Sequence, residues 1–328
     1  MDLDGDGYAD LLSGSWPGEI FLFRGLAGHT FAAGEMLKDK DGEIINIGGG
    51  IEQRPDGITI SGSAEFETVD GMRFAKYRGQ RIESTPEKPI GITGTASVVH
   101  PVDWDGDGDY DLIVGDIGGN VYFVPNEGTA KSYAFGKEKK LMAGGQPVRV
   151  SSRAGPCVAD WDGDGDLDLL VGADDGSVSL FRNTGSRKSP ELAAAVQLVP
   201  PGDGSSGTQA PKEVHRGTRS KICVADWNGD GKLDLLLGDV AYLKPDLPEP
   251  TPEQKAEYER IRKELEPLEA RYNELVDKLR GPKRVRTREE LDQVRKEFIE
   301  TVDQIEALNS KLPREYEMHG WVWLFLRK

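Results

Sequence analysis

Through the first three quarters of the chain, apolar residues come in short runs that end in glycine: LLSG at 11–14, LIVG at 112–115, LLVG at 169–172 and LLLG at 235–238. After a brief turn, three of these are followed by a second glycine-led run, GEIFLFRG at 18–25, GNVYFVPNEG at 119–128 and GSVSLFRNTG at 176–185. Short apolar runs bounded by glycine and turn residues are the mark of hairpin strands. A third element recurs at 31–37, 135–141 and 192–198, each with apolar ends, and a short upstream strand recurs as SVVHPVD, PCVAD and ICVAD. Each unit of four short strands is too thin to bury its own sheet face. The pattern therefore predicts four-stranded antiparallel sheets packed on one another, as in a propeller or a solenoid. Because LKDKDGEIINI at 37–47 aligns with LMAGGQPVRV at 141–150, the longer interval between the first two units places extra residues at about 50–95. That stretch reads either as a β-rich insertion or as a degenerate blade.

From Thr251 the apolar period changes to three and four. Tyr258, Ile261, Leu265, Leu268, Tyr272, Leu275 and Leu279 follow it, as do Leu291, Val294, Phe298, Val302, Ile305, Leu308 and Leu312. TPEQ at 251–254 and TREE at 287–290 are capping boxes, and Gly281 with Pro282 separates the two runs. The prediction is an antiparallel coiled-coil hairpin over 251–313, each arm roughly 40 Å long, with a kink at Pro267. HGWVWLFLRK at 319–328 then repeats the pattern of GNVYFVPN. The hairpin is accordingly expected between two strands of the last sheet, with 1–250 and 314–328 forming the β part.

Composition narrows the chemistry. The formal charge is −16 and no basic stretch offsets it, which argues against nucleic acid as a partner. No apolar run is long enough for membrane insertion. The first residues already form a motif, so a signal peptide is not expected within this sequence. The two cysteines, Cys157 and Cys223, stand at equivalent repeat positions and read as small buried hydrophobes.

The acidity is concentrated in one loop written four times, D-x-[DN]-G-D-G-x-x-D, immediately before each LLxG strand. Alternating carboxylates at its positions 1, 3, 5 and 9 can converge, position 7 can add a carbonyl, and glycine at position 6 permits the tight turn. The candidate ligands are Asp2, Asp4, Asp6, Asp10 and the carbonyl of Tyr8; Asp103, Asp105, Asp107, Asp111 and the carbonyl of Asp109; Asp160, Asp162, Asp164, Asp168 and the carbonyl of Asp166; and Asp226, Asn228, Asp230, Asp234 and the carbonyl of Lys232. An oxygen-only, flexible donor set suits Ca2+ better than Mg2+ or zinc, about four ions in all. Position 12 holds no acid and a strand follows, so these loops are not EF-hands.

These loops, with the G-x-V-x-x-F-x-N-x-G runs after them, resemble the FG-GAP and VCBS repeat family over residues 1–50, 96–243 and 319–328. The resemblance implies a mainly β fold of β-propeller blades of the integrin α type, with calcium at the four loops and an extracellular, cell-surface or periplasmic location. It also implies a non-enzymatic role in adhesion, assembly, or protein or glycan binding. The helical arm, outside that pattern, would reach a partner or drive self-association. The alternative is a polysaccharide lyase or glycoside hydrolase, or an accessory domain of one, recruiting Glu65, Glu67, Tyr77, His100 or His215. No spacing singles those residues out.

Overall fold

The computed structural model describes residues 1–55, 57–85, 88–206, 209–280, 285 and 287–328. The chain forms two compact units, one comprising 1–204, 214–241 and 318–328, the other 205–213 and 242–317.

In the larger unit the glycine-bounded runs form hairpins. The first repeated sheet joins Leu11–Gly14, Ile20–Phe23 and Glu35–Met36. A second joins Val98–Val102, Asp111–Gly115, Val121–Val124 and Lys139–Lys140, and a third joins Gly155–Ala159, Asp168–Gly172, Val178–Phe181 and Val196–Val199. The fourth joins Thr218–Ala225, Asp234–Leu243 and Glu317–Phe325. Register follows the repeat: Leu112 faces Val124 across the second sheet as Leu11 faces Phe23 across the first.

Side chains of a strand alternate between its two faces, and that alternation assembles the core. Leu112 and Val114 turn toward the first sheet and pack with Ile20, Leu22 and Leu37. Ile113, between them, turns the other way and packs with Leu169 and Val171 of the third sheet. Leu170 in turn meets Leu235 and Leu237 of the fourth, together with Trp323 and Phe325. The inner sheets are thus buried on both faces, which is why their strands read as unbroken apolar runs. The terminal glycine of the motif has a steric cause: a Cβ on Gly14, Gly115 or Gly172 would collide with the backbone of Ser97, Ala154 or Ser220 at the start of the next sheet.

Residues 50–95 fold into two further sheets. Glu65–Val69, Met72–Tyr77 and Gln80–Ser84 form a meander, while Gly50–Arg54, Gly57–Ser61 and Ile90–Thr93 form a sheet whose last pair is parallel. Ile60, Ala75 and Tyr77 are buried between them.

The fold corrects the expected β-propeller. It is a mixed β/α structure of several small sheets and two packed helices, and no closure into a ring is seen among the described residues. The end faces of the sheet stack record this directly. Trp104 and Trp161 are buried by the sheet that follows each, at 4% and 8% exposure, whereas the equivalent Trp227 is 63% exposed. At the other end Leu11 is 49% exposed, whereas its equivalents Leu112 and Leu169 are fully covered. A closed ring would bury both ends. Nor are all the sheets four-stranded, since the first and the fourth have three strands. Cys157 is buried and Cys223 exposed for the same reason, Cys223 lying opposite Leu236 on the uncovered side of the last sheet.

In the smaller unit α1 (Pro252–Arg280) packs against α2 (Arg288–Asn309). Arg271 pairs with Glu297, the rings of Tyr272 and Phe298 lie 5.3 Å apart, and Arg262 reaches Glu315, so the two helices run antiparallel. Ile261, Leu265, Leu275 and Val294 are buried in their seam. Thr251 and Gln254 form the reciprocal capping box, and α1 continues through Pro267 as one helix. The Gly281–Pro282 turn lies outside the described residues. No helix among the described residues is long and apolar enough to cross a membrane.

Candidate cation-binding loops

The acidic loops are built from short-range carboxylate-to-amide bonds within their own spacing. In the first, Asp2 Oδ1 accepts from the amides of Gly5 and Asp6 at 2.7 and 3.2 Å, and its Oδ2 accepts from Gly7 at 2.9 Å. Asp160 and Asp226 repeat this arrangement with Gly163, Asp164 and Gly165, and with Gly229, Asp230 and Gly231. The fifth-position carboxylates of Asp6, Asp107, Asp164 and Asp230 accept from the amides of Tyr8, Asp109, Asp166 and Lys232, which fixes the seventh residue in the turn. Gly5 and its equivalents adopt positive φ, as at +72° for Gly5, where a side chain would strain the turn.

The ninth position does something the spacing alone did not reveal. Asp10, Asp111, Asp168 and Asp234 each accept one bond from the second residue of their own loop: Leu3, Trp104, Trp161 and Trp227, at 2.8 to 3.1 Å. The other oxygen accepts from a residue at the end of the neighbouring strand, Gly25, Asn126, Asn183 or Arg327, at 2.7 to 2.8 Å. The carboxylate is a strut between loop and sheet. In the last repeat the strut spans the helical hairpin, so Arg327 takes the place held by Asn126 and Asn183.

The donors gather in threes. Ligand oxygens of Asp2, Asp4 and Asp6 lie within 4.8 Å of one another, as do those of Asp103, Asp105 and Asp111 and those of Asp160, Asp162 and Asp168. In the fourth loop no such acidic trio forms among the described residues, and the amide of Asn228 instead donates to Asp230 at 3.1 Å.

The second loop is electrostatically distinct. One oxygen each of Asp103, Asp105 and Asp109 is buried with no hydrogen-bond partner, and Asp109 as a whole is buried. Burial first, then repulsion from Asp107, Asp105 and Asp103, pushes the Asp109 carboxyl up to about 6. Burial also raises Asp111 to about 6 against its bonds from Asn126 and Trp104, and burial with repulsion from Asp107 raises Asp105. Converging carboxylates in this state call for a positive counter-charge. A guanidinium supplies part of it at three loops: Arg24 pairs with Asp4, Arg187 with Asp103 at 3.1 Å and Arg182 with Asp162 at 3.4 Å. These arginines went unnoticed in the sequence, although Arg24 and Arg182 both follow a Phe-Leu-Phe or Ser-Leu-Phe run and were legible there. An all-oxygen donor set with orphaned anionic oxygens fits a hard divalent ion.

Among the residues considered for an enzyme, Glu65 and Glu67 share the 65–84 meander with Tyr77. Glu67 is held by Lys76 and Arg81, Tyr77 lies in the small core of the 50–95 sheets, and His100 accepts a bond from the Val158 amide at 3.4 Å.

Comparison with known proteins gives a partial family match: residues 103–171 and 160–237 match the FG-GAP-like repeat. The match takes in the second, third and fourth loops but less than half of the chain. With no ring closure, it does not support the integrin-type propeller assignment implied by the resemblance. No curated protein matches the chain. Among solved structures, a lectin of Agrocybe aegerita, described for specific recognition of non-reducing terminal N-acetylglucosamine, is similar at 16% identity and a TM-score of 0.31. The similarity covers 74% of this chain and 61% of the lectin, so less than two thirds of the lectin is represented.

Proposed function

We propose that the chain is a cation-stabilised binding module: its acidic loops take hard divalent ions, calcium by donor chemistry, and the stacked sheets present a surface to a protein or glycan partner. The observation that carries the ionic part is the second loop, where Asp103 and Asp105 stand in the converging trio with Asp111 and, with Asp109, leave three buried oxygens without a partner. Bound there, a divalent ion supplies the positive charge that the cluster lacks. The chain's own part is to hold the loop open to it, through the Asp111 strut to Trp104 and Asn126 and the glycine-permitted turn. Asp2 and Asp160 spend both oxygens on backbone amides, which supports an order of affinity with the second loop first.

Calcium at a hundred times its dissociation constant adds about 2.7 kcal/mol of stability when it binds only the folded chain. The test is calorimetric titration of chelator-treated protein with calcium and with magnesium, paired with thermal unfolding. Saturable binding that prefers calcium, raises the melting temperature and is lost first in Asp105→Asn is the expected outcome. Absence of binding with an unchanged melt in millimolar calcium removes the reading.

A further inference from the structure

The inner edge of the sheet stack carries a feature that no acidic loop explains. At each junction between sheets the chain makes the same turn. Ala96, Arg153 and Arg219 donate their amides to the carbonyls of Trp16, Ile117 and Asp174 at 2.9, 2.9 and 2.7 Å, and the next residues, Ser97, Ala154 and Ser220, donate to Ser15, Asp116 and Ala173. All three turn residues are left-handed, with φ of 49°, 50° and 62°. Such a backbone favours glycine or asparagine, and the turn itself asks nothing of the side chain, since alanine serves at the first junction. Arginine at the other two is therefore not required by the turn, and a strained position of this kind points to function.

Stacking brings these junctions together. A cavity of about 310 Å³ is lined by Trp16, Arg153, Arg219 and Lys221 with the small residues around Gly14 and Ser97, and by no acidic side chain. Trp16 is 59% exposed at its wall. Two carboxylates stand nearby: Asp174, at 2.9 Å from Arg153 Nε and 3.9 Å from Arg219 Nε, and the buried Glu19, whose Oε2 accepts from the lining Ser15 Oγ at 2.6 Å. Lys221 donates to the Arg153 carbonyl at 3.4 Å. Three cations against two carboxylates leave an excess of positive charge in a molecule whose formal charge is −16. Planar guanidinium groups recognise planar oxyanions in pairs, and an exposed indole takes a flat or CH-rich body. We propose that this cavity binds an organic carboxylate, its charged group held by Arg153 and Arg219 and its body laid against Trp16.

The proposal is independent of ion binding in the loops, so the titration is done on the full chain both with calcium and with chelator. The probes are benzoate and galacturonate, which distinguish an aromatic from a sugar-acid source, with inorganic phosphate as the third arm. The informative variants are Arg153→Gly and Arg219→Gly, because glycine relieves the left-handed backbone while removing the guanidinium. The expected result is binding of one carboxylate probe, weakened about tenfold or more by either variant and by Trp16→Ala, with a melting temperature that does not fall. Failure of both probes to bind at about 10 mM, affinity indifferent to both arginine variants, or a lowered melting temperature in them overturns it. So does phosphate binding as tightly as the carboxylates with no dependence on Trp16.

Discussion

At the scale of single residues, the repeat is held by two devices, a glycine that lets sheets approach and an aspartate that ties loop to strand. Gly172→Ala drives a Cβ toward the Ser220 carbonyl at 2.6 Å and is expected to cost about 1–3 kcal/mol in urea unfolding, as overpacking does. Gly238→Ala, whose nearest neighbours are 3.7 Å away, is expected to stay within about 0.5 kcal/mol. The pair separates a packing role for this glycine from a mere preference of the motif. The Asp168 strut makes a second case: Asp168→Ala orphans the buried amides of Trp161 and Asn183, a loss of about 2–5 kcal/mol. His100 carries a pH dependence. Burial lowers its pKa, so the folded chain holds the neutral ring while the unfolded chain protonates first. Stability is then full above the ordinary histidine pKa of about 6.5 and is lost as pH falls below it. Unfolding curves between pH 8 and 5 are expected to show that acid-side loss in the parent and a smaller one in His100→Gln.

Which oxygens would face an ion was only partly legible at this scale. Spacing places alternating carboxylates on one turn, but it cannot say that Asp168 Oδ1 is taken by Asn183, because that contact depends on how the loop meets a strand folded later. Nor could it say that Asp109, read as a carbonyl donor, also buries its carboxylate.

Among elements, pattern spoke most clearly where the period was local. The hairpins at 111–124 and 168–181 follow from glycine-bounded apolar runs, and the antiparallel helices from a period of 3.6, both written in contiguous residues. The return of the last sheet at Glu317–Phe325 follows from a motif match across the helices, and Arg327 donating to Asp234 is its physical counterpart. The parallel pairing of Ile90–Thr93 with Gly57–Ser61 was not legible, because no turn joins those strands and only tertiary packing brings them together. At Pro267 α1 runs on without a break. The burial of Ile261, Leu265 and Leu275 on either side outweighs one missing amide. Pro267 is itself exposed, so Pro267→Ala is expected to stabilise the hairpin by roughly 1–3 kcal/mol without a change in packing, measurable by thermal unfolding followed at the helical circular-dichroism band.

For the molecule as a whole, what failed to transfer from the sequence was closure. Repeats specify how one sheet packs on the next, because Ile113 and Leu170 are read by a neighbour of the same kind. They do not specify how many sheets follow or whether the last meets the first. The tryptophan that follows the first aspartate in three of the loops turns this into a measurement. Trp104 and Trp161 each fill a layer between sheets, so their replacement by alanine is expected to cost about 3–5 kcal/mol through lost burial and an unfilled cavity. Trp227 has the same loop motif, the same strut to Asp234 and the same flanking strand, but no sheet covers it among the described residues. Trp227→Ala is therefore expected to change stability by less than about 0.5 kcal/mol, as a surface substitution does. Since the three share local structure, loop disruption would lower all of them alike, and only coverage by a following sheet separates them. Equal losses at Trp227 and Trp161 in monomeric protein would mean that the last face is covered after all, and the open stack would have to be abandoned.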